Sequence, residues 1–73
     1  MSLAFRVDIA SPPDREELVA EIFFGDIQWA EVIQEASALE VEFYPRPDHK
    51  PWRMNLQDAI DSLGEAKLRL QCG

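Results

Sequence analysis

The sequence predicts an α+β domain: an antiparallel four-stranded β-meander with one C-terminal α-helix packed on one face. Three observations lead there. Apolar runs with two-residue alternation recur up to residue 44, turn-forming residues separate them at short intervals, and apolar residues from position 56 onward recur at helical spacing instead. Sequential strands joined by short turns pair as antiparallel neighbours.

Residues 3–9 set Leu3, Phe5, Val7 and Ile9 against Ala4, Arg6 and Asp8, the period of a strand with one buried face. Ser11-Pro12-Pro13-Asp14 ends it. The same residues also carry the marks of a helix start, so a helix over residues 12–24, closed by Gly25, competes with a turn followed by a strand. We take the strand, Leu18-Val19-Ala20-Glu21-Ile22-Phe23-Phe24, because it meets Gly25-Asp26 and then another β-rich stretch, which is a hairpin signature. The third strand spans residues 27–34, with mixed alternation that a bulge explains. After a turn at residues 35–38, Leu39, Val41 and Phe43 oppose Glu40, Glu42 and Tyr44 in the fourth. Pro45, Pro47 and Pro51 cannot donate ladder hydrogen bonds, so the stretch to Trp52 reads as an extended connector, with Trp52 an apolar plug at the helix start. Asn55 then caps a helix supported by Asp58, whose apolar face holds Leu56, Ala59, Ile60, Leu63, Ala66 and Leu70. Asp58 and Asp61 near its start and Lys67 and Arg69 near its end complement the helix dipole. Gly64 costs about 1 kcal/mol relative to alanine there, which suits a point where the helix closely approaches a strand.

Seventy-three residues make one domain, 1–73, at a size where a single core supplies only a few kcal/mol. The other supports of small domains are missing. Cys72 is the only cysteine and is expected to be a free thiol, and one cysteine with one histidine, His49, cannot build a structural zinc site. Association with another chain is the remaining support. Fourteen acids against seven bases give a formal charge of -7, which disfavours generic binding to nucleic acid or anionic membranes. Nine acids (Asp14, Glu16, Glu17, Glu21, Asp26, Glu31, Glu35, Glu40, Glu42) share residues 14–42 with one base, Arg15, a balance that suits a cationic protein partner. Without a signal-like leader or a long apolar run, the chain reads as cytoplasmic and not membrane-bound.

One amphipathic helix covers one face of a sheet. With the helix over Leu39, Val41 and Phe43, the pleat brings Leu18, Ala20, Ile22, Phe24, Ala30 and Val32 into that core. The other face then carries Val19, Glu21, Phe23, Ile27, Trp29, Glu31, Ile33, Glu40, Glu42 and Tyr44, an apolar and aromatic surface laced with carboxylates. Such a surface marks an interaction site, so Val19, Phe23, Trp29, Glu31, Ile33, Glu40, Glu42 and Tyr44 form the expected interface.

Tyr44-Pro45-Arg46-Pro47-Asp48-His49-Lys50-Pro51-Trp52-Arg53 is the one locally basic segment, and Arg46, His49, Lys50 and Arg53 are its candidate anion-binding residues. Glu40 and Glu42 lie roughly 7 Å apart on one strand face, a spacing that paired-carboxylate enzymes also use, but alternating glutamates ordinarily mark a solvated strand or a guarded edge. The chain offers no zinc-ligand set, no nucleophile and base at a telling spacing, and no phosphate loop among Gly25, Gly64 and Gly73. No catalysis, metal or cofactor is therefore expected.

Pro-Pro-Asp-Arg-Glu before a Leu-Val-Ala-Glu-Ile strand, then Gln28-Trp29-Ala30-Glu31, Phe43-Tyr44-Pro45, Pro51-Trp52 and Ala66-Lys67 at the helix end, resembles small conserved bacterial proteins of unknown function. The resemblance spans most of residues 11–70 and implies no activity or site. The functional expectation is a small acidic protein-interaction domain without intrinsic catalysis, a homodimer or the binder of a basic protein, with an inhibitor or immunity-like protein as one form. A dimer that binds or transforms a small ligand at the basic loop, and an acidic nucleic-acid mimic, are the alternatives.

Overall fold

The computed structural model describes residues 4–14, 17–35 and 37–72, with the side chain of Cys72 excepted; the readings made above for Leu3 and for the Cys72 thiol lie outside it. Four strands, β1 (Phe5–Ala10), β2 (Val19–Phe24), β3 (Ile27–Glu35) and β4 (Ala38–Phe43), precede one helix, α1 (Leu56–Cys72). Strand order in the sheet is β1-β2-β3-β4, with antiparallel pairing throughout, and α1 packs on one face, the predicted α+β meander.

Within the contested stretch at residues 12–24, Pro13 and Asp14 form a turn and Val19–Phe24 a strand, with residues 15 and 16 outside the described residues. The strand's β-branched and aromatic residues pair on both edges, with Ile22 opposite Val7 on one side and Ala30 on the other. Gly25 and Asp26 form a two-residue loop between the paired Phe24 and Ile27. Gly25 has φ +64°, while Asp26 stays at negative φ, the signature of a type II′ hairpin turn.

The β2–β3 register shifts between Ile22 and Phe23: Ile22 faces Ala30, but Phe23 faces Gln28. Trp29 is the extra residue. This bulge corrects the predicted faces, because Trp29 joins the helix-side core and is only 8% exposed, while Ile27 takes the side of its partner Phe24. Rings of Phe5, Phe24, Trp29 and Phe43 follow one another across all four strands, with successive centroids 6.2, 5.3 and 5.3 Å apart.

The helix begins where Asn55 Oδ1 accepts the backbone N–H groups of Gln57 (2.8 Å) and Asp58 (3.3 Å). Its inward face holds Ala59, Ser62, Leu63, Ala66 and Leu70, and the small residues among them let it settle over β1 and β2. Buried Ser62 donates its hydroxyl to the Ala59 carbonyl (2.9 Å). Arg69 donates to the Val7 carbonyl (2.6 Å) and to Glu65 (2.8 Å), drawing the helix toward β1.

Four strands about 4.8 Å apart are wider than one helix of about 10 Å, so a helix seated over β1 and β2 cannot reach β4. Leu39, Val41 and Phe43 do lie on the helix side, but Val41 and Phe43 are exposed there, and the expected cover is missing. Leu18 is exposed as well, and so are Leu56 and Ile60, which sit on the helix flank rather than its buried face. Gly64 is exposed, and a Cβ built on it meets nothing within 4 Å, so it marks no close approach to a strand.

The two glycines should therefore respond oppositely to alanine in urea unfolding. Gly64→Ala fills open space in a helix and raises stability by about 0.5–1 kcal/mol. Gly25→Ala forces a side chain into the left-handed region and lowers stability by about 1–2 kcal/mol.

Candidate functional site

Strand pairing fixes what the face opposite the helix presents. Asp8 lies across from Glu21, Glu21 across from Glu31, and Glu31 across from Glu42, so one carboxylate from each strand stands in a row spanning the sheet. Val19 and Ile33, paired with each other in the neighbouring row, are buried rather than presented. Phe23 is half-buried beneath the Arg6 guanidinium, 4.5 Å from its ring centre. Of the expected interface, the structure brings Val19, Phe23, Glu31, Ile33, Glu40 and Glu42 to one face with the Tyr44 hydroxyl, and it moves Trp29 to the other side. The result is a carboxylate row with one shielded aromatic.

Like charges directly opposite one another across strands destabilise a sheet by a few tenths of a kcal/mol to about 1 kcal/mol per pair. Relief here is local. Arg6 reaches Asp8 at 3.0 Å, but both side chains are about half exposed and such a pair contributes little. Glu31, only 8% exposed, accepts a 2.7 Å hydrogen bond from the Tyr44 hydroxyl. That bond, then burial, then the negative charges of Glu31 and Glu42, push the Tyr44 phenol far above its ordinary value of 10. Tyr44 also anchors backbone: its N–H donates to the Trp29 carbonyl (2.9 Å) and its carbonyl accepts Trp52 Nε1–H (2.8 Å).

The basic loop closes on itself. Arg46 donates from Nε and Nη2 to the two oxygens of Asp48, each at 3.0 Å, and lies 5.2 Å from the centre of the Trp52 ring. Asp48 also accepts the Lys50 N–H (3.1 Å), and these bonds hold its carboxyl below the usual range. His49 sits at φ +62°, its N–H donating to the Arg46 carbonyl (3.1 Å). The predicted anion site is thus altered: Arg46 already holds a carboxylate of its own chain, while His49, Lys50 and Arg53 are exposed, with no hydrogen bond joining them among the described residues. Trp52 packs against the core as the plug that the sequence predicts. Among the described residues no three His, Cys, Asp or Glu side chains stand close enough to hold a metal ion. A shallow cavity of about 250 Å³ at the β1 edge is lined by Phe5, Arg6, Val7, Glu65 and Arg69, but Arg69 is spent on Val7 and Glu65.

A surface missing from the sequence reading lies on the helix side. The Glu65 and Arg69 flank of α1 turns toward β1, so Leu56 and Ile60 lie on the flank away from β1. Leu56 is 75% exposed, Ile60 53% and Phe43 55%, with Val41 exposed beside Phe43. A signal was present: at 100° per residue, Leu56 and Ile60 fall roughly 90° and 130° from the centre of the stripe of Ala59, Ser62 and Ala66, outside its margin.

Tyr44 is the only tyrosine, so ultraviolet titration reads it directly. Its phenol should stay protonated through pH 10 while the protein is folded, and Glu31→Gln should bring ionisation back toward 10; ionisation near 10 in the folded wild type would show that the bond to Glu31 is absent. The sign follows from a pKa raised by folding: the stabilisation is complete below pH 10 and is lost as the unfolded chain forms tyrosinate above it. Tyr44→Phe should cost on the order of 1–2 kcal/mol near neutrality and remove that share of the alkaline loss. Searches against protein families, curated proteins and solved structures found no match, so the chemistry of these surfaces is read from their own residues.

Proposed function

We propose that this chain is a small acidic protein-interaction domain without intrinsic catalysis, and that its partner is a basic protein. One observation carries the reading. Apolar side chains that a self-sufficient fold would cover, Val41, Phe43, Leu56 and Ile60, lie open on one side of the sheet, while the other side holds the carboxylate row from Asp8 to Glu42. Open apolar side chains supply anchoring contacts, and a formal charge of -7 supplies long-range attraction for a cationic surface. The closed state of the Arg46–Asp48 loop favours this reading over a small-ligand site. A homodimer is the weaker choice, since it brings two chains of charge -7 together.

The test combines sedimentation across a concentration series with affinity capture from the native host, using the wild type, Ile60→Glu and Glu42→Lys. Both positions are exposed, so the variants should keep the native far-ultraviolet spectrum. The expected result is a monomer that retains a basic protein, with retention reduced at least about tenfold in each variant. Retention of nothing, or retention indifferent to both changes, would overturn the proposal. A concentration-dependent dimer abolished by Ile60→Glu would assign the surface to a second copy, and competition by DNA would point to the nucleic-acid mimic.

A further inference from the structure

The two edges of the sheet differ. Tyr44 N–H bonds the Trp29 carbonyl in the same register that pairs Phe43 with Ala30, and inward bonding alternates along an antiparallel ladder. Glu42 and Glu40 therefore direct their backbone groups to β3, and Leu39, Val41 and Phe43 direct theirs outward. Carried across the sheet, the alternation also turns the Val7 carbonyl outward from β1, and there Arg69 takes it. At β4, among the described residues, no hydrogen bond from helix, loop or side chain reaches the outward groups.

Side chains beside this open ladder are sorted by the pleat. On the helix side stand Val41 and Phe43, both exposed; on the other side stand Glu40 and Glu42, with Glu31 behind Glu42. An added strand would meet apolar surface with one set of alternate side chains and carboxylates with the other. We infer that the β4 edge is a docking strand for an extended segment of a partner in which apolar and basic residues alternate. Backbone bonds to Leu39, Val41 and Phe43 would hold the segment, and its lysines or arginines would lie across from Glu40 and Glu42. The charge pattern selects against a second copy. Two β4 strands paired antiparallel would set Glu40 and Glu42 of each against those of the other, a like-charge arrangement that disfavours self-pairing.

This inference rests on the interaction reading above, and its test is separable from it. The probe is a short, end-capped peptide alternating valine with lysine, compared with one carrying glutamate for lysine, each titrated into the isotope-labelled full chain by NMR. The lysine peptide should bind saturably and protect the Leu39, Val41 and Phe43 amides from exchange, with the glutamate peptide at least about tenfold weaker. Val41→Pro removes an outward N–H without breaking a β3 bond, so it should abolish binding in a folded protein. If that variant fails to fold, the double variant Glu40→Lys, Glu42→Lys serves, and should reverse the preference between the peptides. Equal binding of both peptides, protection confined to other amides, or a peptide-free dimer that already protects Val41 would overturn the assignment. If the peptides fail while capture of a basic protein still depends on Ile60 and Glu42, the domain's function stands and only the docking mode is wrong.

Discussion

Between Ile22 and Phe23 of β2, the facing strand carries one residue more than simple pairing needs, and that residue is Trp29. In a two-residue repeat, one inserted position exchanges the faces of everything on one side of it. Here the exchange brings the largest side chain of β3 under the helix-side core, where it touches Phe24 and Phe43 and completes an aromatic row from β1 to β4. The same step leaves the opposite face without its expected tryptophan, so that carboxylates dominate it. Core composition and surface charge both follow from this local irregularity.

The second constraint is width. A single helix that lies close against β1 and β2 through Ala59, Ser62 and Ala66, and that is tied to the β1 edge by Arg69, has no reach left for β4. Close packing on one half of the sheet and exposure of the other half are therefore one effect. At the β1 edge Arg69 takes one outward carbonyl, that of Val7, whereas among the described residues no side chain reaches the β4 edge. Small residues on the helix face make the difference, because larger ones would lift the helix and trade close contact for wider coverage.

Tyr44 joins the two sides. Its backbone fixes the last rung of β4 against Trp29 and holds the Trp52 indole that leads into α1, while its hydroxyl donates to Glu31 on the acidic face. A nearly buried carboxylate between two others is tolerable only with a donor of this kind. Arg46 and Asp48 do the equivalent for the connector, where the charges satisfy each other over the Trp52 ring and leave the loop a brace.

Much of the architecture was legible from local chemistry. Alternation in Phe5, Val7 and Ile9 and in Leu39, Val41 and Phe43 marked strands, Gly25-Asp26 marked the hairpin, and Asn55 with the following apolar spacing marked the helix, because each depends on neighbours only a few residues away. The candidate surfaces were less legible. Mixed alternation around Trp29 was compatible with a bulge, but where the extra residue falls depends on which β2 residue it opposes, and that is a pairing between strands. Likewise Leu56 and Ile60 look like core from their spacing and are exposed because α1 settles over β1, a choice made by its contacts with the sheet. The amino-acid order alone thus determined the elements, their antiparallel succession and the acidic charge, all properties of short stretches or of sums. Only the tertiary structure decided which face is apolar, which edge stays open and which arginine is already engaged, because these depend on register and on the reach of one helix across four strands.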